Sequence, residues 1–397
     1  MFKRLILEPQ DGRHTSIHFF LLLLSWIYGL GVFLRSFMYD KGVFKTHRLY
    51  SKALSEIRII RHPPSAMGCP KVISIGNITV GGTGKTPAVI AIARELVKRG
   101  IRVTVLSRGY GGSYEHRAGI VSDSKHLRLN PDESGDEPYL LARKLPGVPV
   151  IVGRDRIKTG RLAMANFGSQ IIILDDAFSH RRIHRDLDIV LINSLNPFGN
   201  GRLLPRGILR ESLRSLRRAD YFILTRADQI ADGGWGTKID TPASKPELIN
   251  ILFRLNPAAP ILEAIHRPID LLDLSGKSHA LEMIKGTKIL ALSSIAAPEH
   301  FEAALSKLGA SEVSIIRFPD HHPYQEPDIR RLISIFREKK AEAIITTEKD
   351  GIRLEGKIKP AEWPFFLMRI EFEIISDPDF ISSLCLFGEL GEGQDPA

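Results

Sequence analysis

Cysteine is nearly absent: two residues in 397, Cys69 and Cys385, far apart in the chain. That excludes a disulfide framework and fits a reducing compartment. No cysteine–histidine spacing of the zinc type occurs. No internal repeat and no long low-complexity tract is present, which removes solenoid and fibrous classes. Excess negative charge is also missing. The formal net charge is +10, which favours an anionic partner: nucleic acid, an anionic membrane surface or a phosphorylated substrate. The basic residues are dispersed and no nucleic-acid motif accompanies them, so nucleic acid is not the expected partner. With 43% hydrophobic and 25% charged residues, the chain is globular, and its length suits about two domains.

The stretch that organises the rest runs from Lys71 to Thr86, KVISIGNITVGGTGKT. Val72–Ile75 is an apolar run of the kind found in buried parallel strands. A glycine-rich turn follows, then Lys85 and Thr86, then a helical pattern beyond Pro87. This order is that of a phosphate-binding loop. Backbone amides of Thr79, Gly81, Gly82, Thr83 and Gly84 approach the phosphates, Lys85 reaches the terminal ones, and the Thr86 hydroxyl holds Mg²⁺. The usual pattern has a glycine where this chain has Thr79.

Further strands are expected at Val103–Leu106, Val148–Val152, Ile171–Leu174, Asp188–Asn193 and Tyr221–Asp228. The first ends in SRGYGG, placing Arg108 and Tyr110 where open α/β sheets bind ligands. A polar segment leads to GDEP, with Asp136 and Glu137 at a helix start. The strand ending in Asp175-Asp176 has the form of a magnesium-binding strand end, and His180 follows it. The loop NPFGNGRLLPRGILRES holds Arg210 and Glu211. Thr225–Asp228 echoes the guanine motif Asn-Lys-x-Asp, which leaves a membrane-associated P-loop GTPase or nucleotide-dependent regulatory module as the alternative function. A change of character over Ala231–Leu274 marks the domain boundary.

Ile17–Leu34 is apolar nearly all round and long enough for a membrane span. Basic residues flank it on both sides, so charge does not fix a topology. A helix lying in the inner leaflet, with both flanks cytoplasmic, is preferred to a full span and to a cleaved signal, because no clear cleavage site follows.

Taken in order, GNITVGGTGKTP, SRGYGG, GDEP, LDDAFSH, LLPRGILRES, FPDHHPY and TTEKD resemble tetraacyldisaccharide 4′-kinase, the lipid A 4′-kinase family of Gram-negative bacteria. The family's loop also lacks the first glycine. Ala177 and Ser179 stand where the family more often has glycine and glutamine, and Ala177 is expected to restrict its turn. The resemblance implies an α/β fold: a P-loop NTPase core of mostly parallel sheet flanked by helices, a smaller C-terminal α/β lobe, and an N-terminal membrane-associated helix. The expected divisions are 1–62, 63–262 and 263–397. It implies transfer of the ATP γ-phosphate to the 4′-hydroxyl of a lipid A disaccharide precursor at the cytoplasmic face of the inner membrane, with no obligate protein partner. It also implies roles. Lys85 and the loop bind ATP together with Arg210. Thr86, Asp175 and Asp176 hold Mg²⁺, with Glu211 as an outer contact. Asp136, assisted by His321 or its neighbour His322, deprotonates the acceptor. Arg108, Tyr110 and His180 face the substrate.

Overall fold

The computed structural model describes residues 15–49, 69–229, 244–358 and 363–389. Its first element is α1 (Thr15–Asp40). The core then runs β1 (Lys71–Gly76), α2 (Lys85–Lys98), β2 (Val103–Ser107), β3 (Gly119–Asp123), α3 (Asp136–Lys144), β4 (Pro149–Val152), α4 (Arg156–Phe167), β5 (Ile171–Asp175), β6 (Leu187–Asn193), β7 (Tyr221–Thr225) and α5 (Lys245–Leu255). The remainder is β8 (Ile261–Asp273), β9 (Ser278–His279), β10 (Lys288–Ser293), α6 (Pro298–Lys307), β11 (Glu312–Arg317), α7 (Glu326–Glu338), β12 (Ala343–Thr347), α8 (Glu348–Leu354), β13 (Phe365–Ile374) and α9 (Phe380–Glu389).

The described strands form one sheet in the order β11-β10-β12-β13-β8-β7-β6-β1-β5-β2-β4-β3, with β9 beside β8. Most pairs are parallel; β13/β8, β8/β9 and β3/β4 are antiparallel. The apolar strands β1, β2 and β5 read as continuous runs because helices cover both of their faces. Helix α2 shows how its residues fix its place. Ala88, Val89, Ile92, Ala93 and Leu96 recur at helical spacing and bury one stripe against the sheet. Each fully buried valine, leucine or isoleucine contributes about 1.5–3 kcal/mol. The helix stops at Gly100 (φ +82°), where Gly100 N–H donates to Val97 and Ile101 N–H to Leu96. That pair of bonds satisfies the last carbonyls while Ile101 packs beneath them.

β3 falls in the stretch between Gly112 and Ser134, read from the sequence as a polar segment. It is a short antiparallel edge strand. Around the expected boundary, residues 230–243 lie outside the described residues. Position 263 falls inside β8, a 13-residue strand. β8 pairs with β7 at its start and with β13 over the rest, so it belongs to both halves. α9 returns to the first half: Phe380, Leu384 and Cys385 pack in the cluster of α2 and β1, and Arg99 donates to Ser382 Oγ at 2.7 Å. The division at 263–397 therefore does not follow the packing of the C-terminal helix.

α1 lies along the core. Ser25 Oγ donates to Leu203 O at 2.8 Å, Tyr28 OH to Arg210 O at 2.9 Å, and Arg35 pairs with Glu211. Its other side is open, with Trp26 72% and Phe19 71% exposed and Phe33 beside them. The helix is long and apolar enough to cross a membrane. Of the basic residues that follow Ile17–Leu34, Lys52, Arg58 and Arg61 lie outside the described residues.

Candidate active site

The loop between β1 and α2 sits in a cleft of about 1430 Å³ lined by both halves of the sheet. Gly84 is the N-cap of α2 at φ +84°, with no side-chain cap, so the first amides of the helix point into the cleft. A Cβ on Gly84 would collide with the His266 ring at Nε2. Gly84→Ala is therefore expected to raise the KM for ATP at least tenfold and cost about 1–3 kcal/mol of stability, from the left-handed backbone alone. Nucleotide titration and a melting curve check both.

Thr79 needs no unusual backbone. It forms a bridge with Leu209, and Val80 N–H donates to Ile208 O at 2.8 Å. The loop is braced from the side by the 203–210 segment instead of turning on a first glycine. Thr83 is buried, and its hydroxyl has no hydrogen-bond partner among the described residues. Lys85 Nζ lies 3.3 Å from Asn77 Oδ1 and 3.7 Å from Asp176 Oδ1. Thr86 is the second residue of α2.

β5 lies beside β1, with Ile75 opposite Asp175, and this register delivers the acidic pair to the loop. Asp175 is buried and accepts from Ser107 Oγ at 2.9 Å. Burial, then the charges of Glu137 and Asp176, raise its pKa well above the ordinary carboxylate range. Asp176 has the strained backbone (φ +51°). Burial raises its pKa, but Lys85 and Arg210 outweigh that and hold it low; Arg210 Nη1 contacts both its oxygens at 2.8–2.9 Å. The left-handed residue is Asp176, not Ala177, so alanine in place of glycine does not restrict this turn. His180 lines the cleft. Burial, then Arg156 and Arg185, lower its pKa to about 4, so it is neutral near pH 7.

Glu211 differs from expectation. Only 1% of its side chain is exposed, and its two oxygens pair with Arg35 at 3.2 Å and Arg218 at 2.7 Å. The outer metal contact expected there is replaced by a tie between α1 and the Arg210 segment. The guanine echo is also corrected. Arg226 turns under the loop and donates to Gly82 O at 3.1 Å, while Asp228 is exposed outside the cleft lining.

Across the cleft, His321 Nδ1 lies 3.1 Å from Asp136 Oδ2. His322 is elsewhere, stacked on Phe318 and bound to Asp328 at 2.9 Å. Asp136 reaches its place because SRGYGG packs on the backbone before it: a Cβ on Gly112 would meet Gly135 N at 2.5 Å. Tyr110 stands edge-on to His321 at 5.9 Å, and Arg108 pairs with Glu115 at 2.8 Å. Burial raises the Asp136 pKa, but the His321 hydrogen bond and the Arg353 charge outweigh it and set the group below its usual range. Sequence reasoning assigned no role to Arg156, Lys349 and Arg353. Arg156 is 3% exposed beneath the acidic pair, donating to Asp175 O at 3.0 Å. Arg353 and Lys349 reach Asp136 and Glu137 at 2.6 and 3.0 Å. Arg156 lies in the Gly153–Arg156 run after β4, Lys349 is the lysine of TTEKD and Arg353 follows that motif by three residues; those motifs were the available signals.

A phosphate loop, an adjacent acidic strand end and a carboxylate–histidine pair around one cleft define a P-loop phosphotransferase. The family model described as LpxK, tetraacyldisaccharide-1-P 4′-kinase, matches residues 17–386. The chain belongs to this family. It is 43% identical over 314 residues to a tetraacyldisaccharide 4′-kinase of Syntrophus aciditrophicus, covering 78% of this chain and 82% of the relative. It is 42% identical over 294 residues to one of Desulfatibacillum aliphaticivorans, covering 72% and 75%. A crystal structure of LpxK from Aquifex aeolicus in complex with ATP superposes with a TM-score of 0.68 at 29% identity, covering 94% of this chain and 98% of the other.

Proposed function

We propose that the protein transfers the γ-phosphate of ATP to the 4′-hydroxyl of a tetraacyl diglucosamine 1-phosphate, giving lipid IVA. The observation that carries this reading is the Asp136–His321 pair, formed across the same cleft as Lys85 and the phosphate loop. Lys85 and the loop amides hold the β- and γ-phosphates, and Arg210 stands by the transferring group. Among the described residues no three acidic or histidine side chains converge as a metal cage. Mg²⁺ prefers few protein ligands plus waters and phosphate oxygens. A crowded Asp175, raised by burial and then by its acidic neighbours, suits such a cation. Thr86, Asp175 and Asp176 would hold it, and when bound it supplies charge neutralisation to the phosphates.

The acceptor oxygen attacks the γ-phosphorus, the bond to the ADP oxygen breaks, and the hydroxyl proton passes to the Asp136–His321 pair. Arg108, Tyr110 and His180 line the acceptor side. An acceptor lacking the 4′-hydroxyl should gain no phosphate by mass spectrometry, whereas the intact one gains one. Equal phosphorylation of both would overturn the assignment.

The open apolar side of α1 rests in the cytoplasmic leaflet of the inner membrane, where the acyl chains of the acceptor lie. Its core contacts at Ser25, Tyr28 and Arg35 spread over nearly three turns, which favours a helix in the plane over a free span. Trp26→Gln with Phe33→Gln removes about 1.5–3 kcal/mol of apolar burial per residue. The double variant is expected to bind anionic vesicles about tenfold less and to retain its rate on acceptor dissolved in detergent. Vesicle sedimentation and a detergent assay check the two parts.

A further inference from the structure

Lys349 and Arg353 stand four residues apart on α8 and face the same side. Lys349 Nζ lies 3.2 Å from His321 Nε2, 3.0 Å from Glu137 Oε1 and 3.8 Å from Asp320 Oδ1. Arg353 is 7% exposed at its side chain. Its Nε donates to Asp136 Oδ2 at 2.6 Å and its Nη1 to Ser294 Oγ at 2.6 Å. Its Nη2 lies 3.4 Å from His321 Nδ1. Behind it, Asp350 is fully buried and accepts from Ser294, Tyr324 OH at 3.1 Å and Thr347 Oγ1 at 2.8 Å. The anchor of Arg353 is therefore rigid.

These contacts fix the imidazole. An ammonium only donates, so His321 Nε2 presents its lone pair to Lys349. Asp136, ionised between two basic groups, only accepts, so His321 Nδ1 carries the proton and donates it. His321 is held at φ +63°, a backbone state that costs energy and persists only where its surroundings impose it. Lys349 thus occupies the spot from which a substrate hydroxyl would donate to Nε2, and Glu137 is placed to take the ammonium when the hydroxyl arrives.

We infer that Lys349 and Arg353 are positioning residues for the transfer, holding the Asp136–His321 pair in the one arrangement in which Nε2 accepts the hydroxyl proton. The inference rests on the reading that this pair is the base. During transfer the acceptor oxygen bonds the γ-phosphorus as the bond from phosphorus to the ADP oxygen breaks and its electron pair leaves with ADP; the hydroxyl proton moves to Nε2, and the resulting imidazolium faces the Asp136 carboxylate. The groups around His321 are Asp136, Arg353, Lys349, Glu137, Asp320 and the Tyr110 ring. Removing either cation takes away a positive charge that faces the pair and loosens its geometry, and the pH dependence of transfer reads that change.

The test is single-turnover phosphorylation against pH in the full chain, with ATP, Mg²⁺ and detergent-dissolved acceptor. Arg353→Met is expected to slow transfer about a hundredfold, keep the KM for ATP within twofold, and move the acidic limb up by about one pH unit. Arg353→Lys restores the charge and should recover at least tenfold of the rate, with the limb moved back. Lys349→Met should move the limb the same way, and it carries the test if Arg353→Met does not fold. An acidic limb unmoved in the folded methionine variants overturns the inference. Undiminished turnover in Asp136→Asn overturns the base reading itself. A slow Asp136→Asn beside an unmoved limb overturns only the role of Lys349 and Arg353.

Discussion

Asp136→Asn is expected to lower kcat about a thousandfold while the KM for ATP stays within twofold, the loss of one well-placed proton acceptor and its orienting charge. The change keeps the shape of the side chain and one acceptor oxygen. What it removes is the anion that His321 and Arg353 contact at 3.1 and 2.6 Å. A thousandfold corresponds to about 4 kcal/mol of transition-state stabilisation. ATP binding is spared because Asp136 pairs with His321 and Arg353 rather than with Lys85. Steady-state kinetics with both substrates varied measures the split. A rise in the KM for ATP with normal kcat would move Asp136 from proton transfer to nucleotide binding.

Lys85→Met should also cost about a thousandfold in kcat, since a cation aimed at developing phosphoryl charge is commonly worth that much. The two variants differ in their side reactions. Lys85→Met loses slow ATP hydrolysis together with transfer. Asp136→Asn keeps the hydrolysis, because the loop and Lys85 remain in place. Lys85 sits 3.7 Å from Asp176, whose low pKa depends first on that charge once burial is set against it. The methionine variant therefore leaves three acidic groups, Glu137, Asp175 and Asp176, with less compensation, and its Mg²⁺ requirement is expected to steepen.

The phosphate loop was legible because its signal is local: a buried strand, a glycine turn and a helix start within sixteen residues, from Lys71 to Thr86. The Asp175-Asp176 strand end was legible for the same reason, and its register beside β1 follows from two continuous apolar runs. β3 was not, since a five-residue edge strand with only part of its residues buried has little periodicity to display. The long β8 hid the boundary, because it alternates irregularly between two antiparallel partners and a parallel one. Arg353 meets Asp136 across 217 residues, and no spacing rule reaches that far. The pairing of Glu211 is not legible, because a glutamate beside an arginine near a phosphate loop looks the same whether it faces a metal or another arginine. Only the fold places Arg35 and Arg218 against it. Asp136 and His321, 185 residues apart, entered through the family resemblance and not through any pattern in the chain.

One measurement bears most directly on the central claim: incubation of the full chain with γ-labelled ATP, Mg²⁺ and tetraacyl disaccharide 1-phosphate in detergent, with the label followed into the lipid. The expected result is label in the lipid at the 4′ position, formed from ATP and lost in Asp136→Asn. ATP bound with normal affinity but no label in the lipid would contradict it.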